Sequence, residues 1–158
     1  MIFLKFAQEI KGEVAEAGHE GWINVDSIQL GVGRSVSSAG SGGDRETSNP
    51  SFSEVTFSRP TDKASPELFM QSIAGKSLGM ATVHFVQTGG VDKKQTYLTF
   101  EFDEAIVTSY SLSSGGDRPS ESFALNFVKI TMQYDSFTGG KVTKGNPQKW
   151  DLIKGAKF

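Results

Sequence analysis

Apolar and polar residues alternate one by one through most of this 158-residue sequence. A period of two places successive side chains on opposite faces of a strand, whereas an amphipathic helix needs a period near 3.6. The cleanest example runs from Gln95 to Asp103. Its apolar members are Leu98, Phe100 and Phe102. The alternation predicts a mainly β fold with seven or more strands.

The alternation changes phase at two points. After Ile23 and Val25, the apolar residues move from odd to even positions at Asp26–Ser27 and continue through Val32. A second change falls at Val128, after a strand pattern that begins at Phe123. A bulge or bend in a strand produces such a change, and curved, barrel-like sheets need one. We therefore expect strongly curved sheets.

One segment has a helical pattern. Ser65 is expected to be its N-cap, Pro66 suits the first helical position, and Gly75 is expected to end it in the left-handed conformation. An apolar stripe at helical spacing predicts the buried face. Its members are Leu68, Phe69, Ser72 and Ile73.

The tract from Arg34 to Ser53 contains almost no apolar residue and is rich in Ser, Gly and Asn. Such a tract cannot bury enough apolar surface to order itself, so we expect it to be mobile in an isolated subunit. Structureless loops of this length are uncommon in compact domains unless they have a function. Its length suits a strap that reaches a neighbouring subunit.

Composition excludes several classes of protein. The length predicts a single domain over residues 1–158. The absence of Cys excludes disulfides and thiolate chemistry, and a net charge of −2 gives no attraction to nucleic acid. The sequence has no signal-peptide core and no apolar stretch long enough to insert in a membrane. We expect a chain made in the cytoplasm that is exported, if at all, without a cleaved signal peptide.

Catalytic motifs are incomplete. Gly75-Lys76-Ser77 follows a helix instead of preceding one, so it does not fit a phosphate-binding loop. His19-Glu20 resembles the start of a zinc-protease motif, but Ile23 stands where the second His should be. A Ser/His/Asp triad assembles from distant positions, so the sequence leaves it open. Glu101 and Asp103 are expected on the same face of a strand, and exposure of that face to solvent explains the two acidic residues. We expect no enzyme and no catalytic, metal or cofactor-binding residues.

Several stretches, in order and spacing, carry a resemblance to a known family. They are Ile10-Lys-Gly-Glu13, Gly18-His-Glu-Gly-Trp-Ile-Asn-Val25, Asp62-Lys-Ala-Ser-Pro-Glu-Leu68 with Ala74-Gly-Lys76, Tyr97 through Ser111, Glu121-Ser-Phe-Ala-Leu-Asn-Phe127 leading to Tyr134, and Lys149-Trp150-Asp-Leu152. Together they cover almost the whole chain. The sequence resembles the haemolysin-coregulated protein (Hcp) family, the tube proteins of bacterial type VI secretion systems.

The resemblance implies a two-sheet β-barrel with one short α-helix and a long polar loop. It further implies a homohexameric ring, stacking of rings into a tube, carriage of secreted effectors in the lumen, and assembly with the sheath and spike proteins of the apparatus. The subunit would be shed into the medium or a target cell and contribute to virulence. The alternative is a non-catalytic β-sandwich or barrel binding module, for example for carbohydrate. That alternative needs exposed aromatic side chains, whereas Trp22 and Trp150 both stand beside apolar residues.

Two sets of residues follow as candidate sites. The polar side of the second strand is expected to face the lumen, since the opposite side has the apolar pattern of a core face. This first set is Ser27, Gln29 and Gly31. The second set belongs to the long loop and is expected to contact another subunit or the next ring. Its members are Arg34, Ser41, Asp44, Arg45, Glu46 and Asn49.

Overall fold

The computed structural model describes residues 1–37, 45–89 and 93–158. These residues form fifteen strands and one helix. The strands are β1 Ile2–Phe6, β2 Ile23–Val25, β3 Ser27–Gln29, β4 Val32–Gly33, β5 Ser51–Phe52, β6 Val55–Pro60, β7 Ala81–Gly89, β8 Lys93–Asp103, β9 Ile106–Ser113, β10 Ser120–Asn126, β11 Lys129–Tyr134, β12 Ser136–Thr138, β13 Lys141–Thr143, β14 Gln148–Asp151 and β15 Ala156–Lys157. The helix, α1, is Ser65–Ala74. It is far too short to span a membrane, and no helix in the described part of the chain is long and apolar enough to do so.

Two large antiparallel sheets contain most of the strands. The first has seven strands in the order β15-β14-β11-β8-β7-β1-β2, and the second has four in the order β3-β6-β10-β9. Two small ladders pair β12 with β13 and β4 with β5. The predicted mainly β fold with one short helix is therefore confirmed. Among the described residues neither large sheet closes on itself, so a closed barrel stays a prediction.

The hydrophobic core lies between the two large sheets. The four-stranded sheet contributes Phe57 and Phe123 to this core, and the centroids of their stacked rings are 5.2 Å apart. The seven-stranded sheet contributes Phe102, and the helix contributes Leu68. All four side chains are almost completely buried. Burial of apolar side chains on this scale is the main favourable contribution to folding.

Both predicted phase changes are present, and each marks a passage between sheets. At Asp26 the chain leaves β2 in the seven-stranded sheet and enters β3 in the four-stranded sheet. Around Val128 it leaves β10 and enters β11 in the same two sheets, in the opposite direction. Because the core lies between the two sheets, it is on one side of the first sheet and on the other side of the second. A strand that changes sheet must therefore change the phase of its apolar residues.

The two ends of α1 differ from the sequence prediction. Ala64, not Ser65, is the N-cap, and it makes no side-chain capping bond. The Ser65 hydroxyl instead donates to the Glu121 carboxylate at 2.9 Å, because that buried acceptor lies within its reach. Gly75 has an extended conformation with φ −76° and ψ 151°, so the left-handed ending is also wrong.

The predicted apolar stripe of α1 is only partly buried. Leu68 is fully enclosed in the core, as expected. Phe69 and Ile73, which the pattern places beside it, are 49% and 64% exposed. The helix lies at the margin of the core, so one row of side chains reaches the interior and the next row projects past it.

The two arms of the long loop pair as a β-hairpin, which the sequence pattern did not predict. β4 and β5 pair in continuation of β3 and β6, and Val36 forms an isolated bridge with Thr47. Backbone bonds close the arms, from the Ser37 N–H to the Glu46 carbonyl at 2.8 Å and from the Ser48 N–H to the Ser35 carbonyl at 2.9 Å. These bonds need no apolar side chains, which is why composition did not reveal them.

Candidate functional site

The outward face of the four-stranded sheet is built from side chains that bear hydroxyl groups. In β6, Val55, Phe57 and Arg59 point to the core, so Thr56 and Ser58 point outward. The pairing registers place further polar side chains beside them on the same face. These are Ser27 and Gln29 of β3, Ser120 and Ser122 of β10, and Ser109, Ser111 and Ser113 of β9.

No charged side chain interrupts this hydroxyl face. The four strands contain only two charged residues, Arg59 and Glu121. Both point to the interior, where they are 1% and 2% exposed. The face can donate and accept hydrogen bonds at many points, but its strands offer no ion pair to a ligand.

Neighbouring hydroxyl groups on the face bond to one another across the strands. The Oγ atoms of Ser27 and Ser58 are 2.5 Å apart, and those of Ser111 and Ser122 are 2.9 Å apart. At the margin of the face, the Thr108 hydroxyl donates to the Glu54 carboxylate at 2.7 Å. Each hydroxyl retains further acceptor capacity, so the face remains able to bind a polar surface.

The predicted lumen residues belong to this face or border it. Ser27 and Gln29 are exposed on β3, and Gly31 follows the end of that strand. The Gly31 N–H donates to the Ser53 hydroxyl at 2.8 Å, which joins the base of the hairpin. The hydroxyls on β6, β9 and β10 were missed by the sequence prediction. Serines at every second position from Ser109 to Ser113 and from Ser120 to Ser122 were the signal that could have revealed them.

The predicted loop residues lie on the hairpin where the structure describes them. Arg34, Arg45, Glu46 and Asn49 are all exposed, and the Glu46 N–H donates to the Ser37 hydroxyl at 2.9 Å. Two further predicted residues, Ser41 and Asp44, lie outside the described residues.

A buried ionic network lies on the inner side of the same sheet. Arg59 pairs with Glu121 and with Asp62, each at 2.5 Å. The Glu121 carboxylate also accepts hydrogen bonds from the hydroxyls of Ser65 and Tyr110. Burial, assisted by the bond to Glu121, raises the pKa of Tyr110. Since its charges are paired and bonded, the network fastens α1 to the sheet and offers no free acid or base.

Two histidines form a second, partly buried cluster on the outer side of the seven-stranded sheet. His19 Nε2 and His84 Nδ1 are 2.9 Å apart, and Trp22 packs against both rings. Burial, followed by the charge of His19, lowers the pKa of His84 from 6.5 to about 4. Burial also lowers the pKa of His19, against the opposing effects of Glu16 and Glu20. The pair is therefore neutral near pH 7, and it fixes the segment that precedes β2 onto β1 and β7.

The outer strands of the four-stranded sheet have free edges. Among the described residues, β3 pairs only with β6, and β9 pairs only with β10. Because all three pairings are antiparallel, β3 and β9 run in opposite directions. An exposed edge presents unpaired N–H and C=O groups that another strand can bind.

Comparison with known proteins identifies the family. The profile of the family described as "Type VI secretion system effector, Hcp" matches residues 3–134. The chain belongs to the Hcp family.

Relatives of this Hcp chain include both sequences and solved structures. Protein hcp1 of Pseudomonas aeruginosa is 29% identical over 99 residues, a match that spans 61% of the chain and 60% of that relative. A solved structure of a type six secretion system protein is 25% identical, with a TM-score of 0.90 over 99% of this chain and 98% of that one. Hcp1 from Salmonella typhimurium, 24% identical, has the same fold, with a TM-score of 0.75 over 99% and 97% of the two chains.

Proposed function

We propose that this Hcp chain is a structural, non-enzymatic subunit of a type VI secretion tube, which assembles as a hexameric ring. The observation that carries this proposal is the four-stranded sheet with its two free edges, β3 and β9. Membership of the Hcp family supports it. In the ring, the free β9 edge of each subunit meets the free β3 edge of the next.

The direction of the strands favours a repeating, head-to-tail contact. Since β3 and β9 are antiparallel within one subunit, β9 of one copy can pair in antiparallel fashion with β3 of the next copy. The same contact then repeats from copy to copy. A heterologous contact of this kind generates a closed ring when the rotation between copies closes. The joined sheets form a continuous wall with no exposed edge.

In this arrangement, the hydroxyl face of the four-stranded sheet lines the lumen. Ser27 and Gln29 lie on it beside the joint between subunits, with Gly31 at its border. Because the strands of this lining carry no outward-facing charge, they contact passing effectors without forming strong ion pairs. Sheath and spike proteins act on the outside and the end of the stacked tube, and the subunit leaves the cell with its cargo.

Imaging and mass measurement test the ring directly. Negative-stain electron microscopy and light scattering of the purified protein should show a six-subunit ring with a central hole. A sample that is wholly monomeric at tens of micromolar and physiological salt would overturn the proposal.

The lumen assignment has a separate test in Gln29→Arg. The substitution adds a long cation to the exposed face and touches no core residue, so rings should still form while the amount of effector that co-purifies with them changes. Gln8→Arg, at an exposed position outside the four-stranded sheet, is the matched control and should leave both unchanged. If Gln29→Arg unfolds the subunit instead, the inward and outward faces have been assigned the wrong way round.

A further inference from the structure

One side of α1 presents apolar side chains that nothing in the described part of the subunit covers. Phe69, Met70 and Ile73 are 49%, 55% and 64% exposed. They lie on a helix that packs against the inner side of β9, where the Phe69 ring meets Tyr110 at 5.7 Å between centroids. The uncovered side chains therefore stand beside the free β9 edge, on the core side of the sheet.

An apolar groove lies beside the other free edge. It has a volume of about 280 Å³ and lies between the seven-stranded sheet and the β4–β5 ladder, next to the residues that follow β3. Almost all of its surface is apolar, with Lys149 and Lys157 at its margin. Its apolar lining includes Leu30, Val32, Phe52, Phe100, Met132 and Trp150.

The groove and the helix lie on the same side of the four-stranded sheet. Leu30 follows β3 and packs against the core, while Tyr110 pairs with the inward residue Phe123 on β10. Both uncovered apolar surfaces are therefore on the core side, at opposite edges. When β9 of one copy joins β3 of another, these two surfaces face each other.

The ends of the strands also match. In antiparallel pairing, the start of β9 lies beside the end of β3. The C-terminal half of α1 is near the start of β9, because the chain just after the helix bonds there, from the Leu78 N–H to the Ala105 carbonyl at 2.8 Å. Ile73 of one copy thus arrives near Leu30 and Val32 of the next.

We propose that α1 of each subunit docks its exposed apolar side chains into the groove beside β3 of the next copy of this chain. The inference rests on the proposed ring and specifies what holds its subunits together besides backbone pairing. Each interface then has two layers, with strand-to-strand hydrogen bonds toward the lumen and a helix-in-groove contact behind them. A second copy is the occupant because the same edge pairing that joins the sheets also brings the helix to the groove.

Cysteine cross-linking tests the contact cleanly, since the chain contains no Cys of its own. In the double variant Ile73→Cys with Val32→Cys, each subunit offers one thiol to each neighbour. A short bismaleimide should give a ladder of covalent oligomers on a denaturing gel, whereas either single variant should give nothing larger than a dimer. Lys5→Cys with Val32→Cys is the matched control, because Lys5 is exposed on the seven-stranded sheet, and it should give no ladder.

A charge substitution at Ile73 provides an independent test of the docking. Ile73→Lys changes a side chain that is exposed in the single subunit, so thermal unfolding of the monomer should be unchanged. The concentration at which rings dissociate, measured by light scattering, should rise at least tenfold, because the added ammonium group would enter an apolar groove beside Lys149 and Lys157. Rings with no ladder and an unchanged dissociation concentration for Ile73→Lys would overturn the docking and leave the ring intact. Absence of rings in the unmodified protein would overturn the proposed function instead.

Discussion

Glu121 illustrates at the scale of one residue how the interior tolerates charge. Its carboxylate is paired with Arg59 and accepts hydrogen bonds from the hydroxyls of Ser65 and Tyr110, so three side chains donate to it. Glu121→Ala would leave Arg59, which is 1% exposed, with one fewer partner. Removing one partner of a buried ion pair costs about 3–5 kcal/mol, and we expect a loss of that order in the free energy of unfolding.

Chemical denaturation of the two proteins measures this loss. Glu9→Ala is the control, because Glu9 is exposed and forms no ion pair among the described residues, and it should change the stability by less than about 0.5 kcal/mol. Equal, small effects of the two substitutions would show that the network contributes little.

The histidine pair predicts a dependence of stability on pH. His84 has a pKa of about 4 when folded and 6.5 as its ordinary value, so the unfolded chain binds more protons between these limits. Its contribution to stability is therefore complete above pH 6.5 and falls as the pH is lowered toward 4. Thermal unfolding measured from pH 7.5 to 4.5 should show a falling Tm.

The double variant His19→Gln with His84→Gln isolates this effect. Its Tm should vary less over the same interval, because the groups that titrate there are absent. Asp135 and Asp151 have pKa values held below 3.8, so their contributions are lost only at lower pH. If both proteins lose stability in parallel, the histidines do not cause the dependence.

At the scale of one element, α1 separates residues that stabilise the subunit from those free to bind elsewhere. Leu68 is fully buried, and Leu68→Ala should lower the free energy of unfolding by roughly 2–5 kcal/mol. Ile73→Ala, on the same helix, removes an exposed side chain and should change the free energy of unfolding of the monomer by less than about 1 kcal/mol. Urea denaturation in conditions that keep the protein monomeric compares them. A large loss for Ile73→Ala would mean that Ile73 already packs within its own subunit.

The same helix shows which structural features the sequence alone could predict and which it could not. Its position and approximate length followed from local signals, namely Pro66 and the apolar spacing around Leu68. The role of Ser65 did not, because its bonding partner, Glu121, lies 56 residues away in the sequence. A pattern within one segment contains no information about an acceptor that only the folded chain brings near.

For the whole molecule, the strand pattern predicted the fold class and the two phase changes, but not the order of strands in the sheets. Pairing order depends on contacts between distant segments, such as β6 with β10. The candidate lumen residues Ser27 and Gln29 are exposed, as their alternation predicted. The rest of the hydroxyl face could be recognised only from the pairing registers of β3, β6, β10 and β9, because these registers place its serines side by side.

The hairpin that includes β4 and β5 belongs to the scale of the assembled tube. Its arms are closed by backbone bonds between residues 35–37 and 46–48 and continue β3 and β6 past the edge of the core. We expect it to contact the next ring, because residues 34–37 and 45–49 of its arms are exposed. Replacing residues 35–48 with Asn-Gly, a two-residue turn that suits a hairpin, keeps β4 and β5.

The shortened protein should keep its circular dichroism spectrum, its Tm within a few degrees and its rings, while tubes no longer form at concentrations where the original protein stacks. Electron microscopy of both proteins across a concentration series makes the comparison. A second variant, in which residues 35–48 are replaced by a Gly/Ser segment of equal length, keeps the reach and removes the side chains. Tubes from this second variant alone would assign stacking to the length of the hairpin, and loss of tubes in both would assign it to the side chains. Unchanged tubes from the shortened protein would show that the hairpin is not a stacking element.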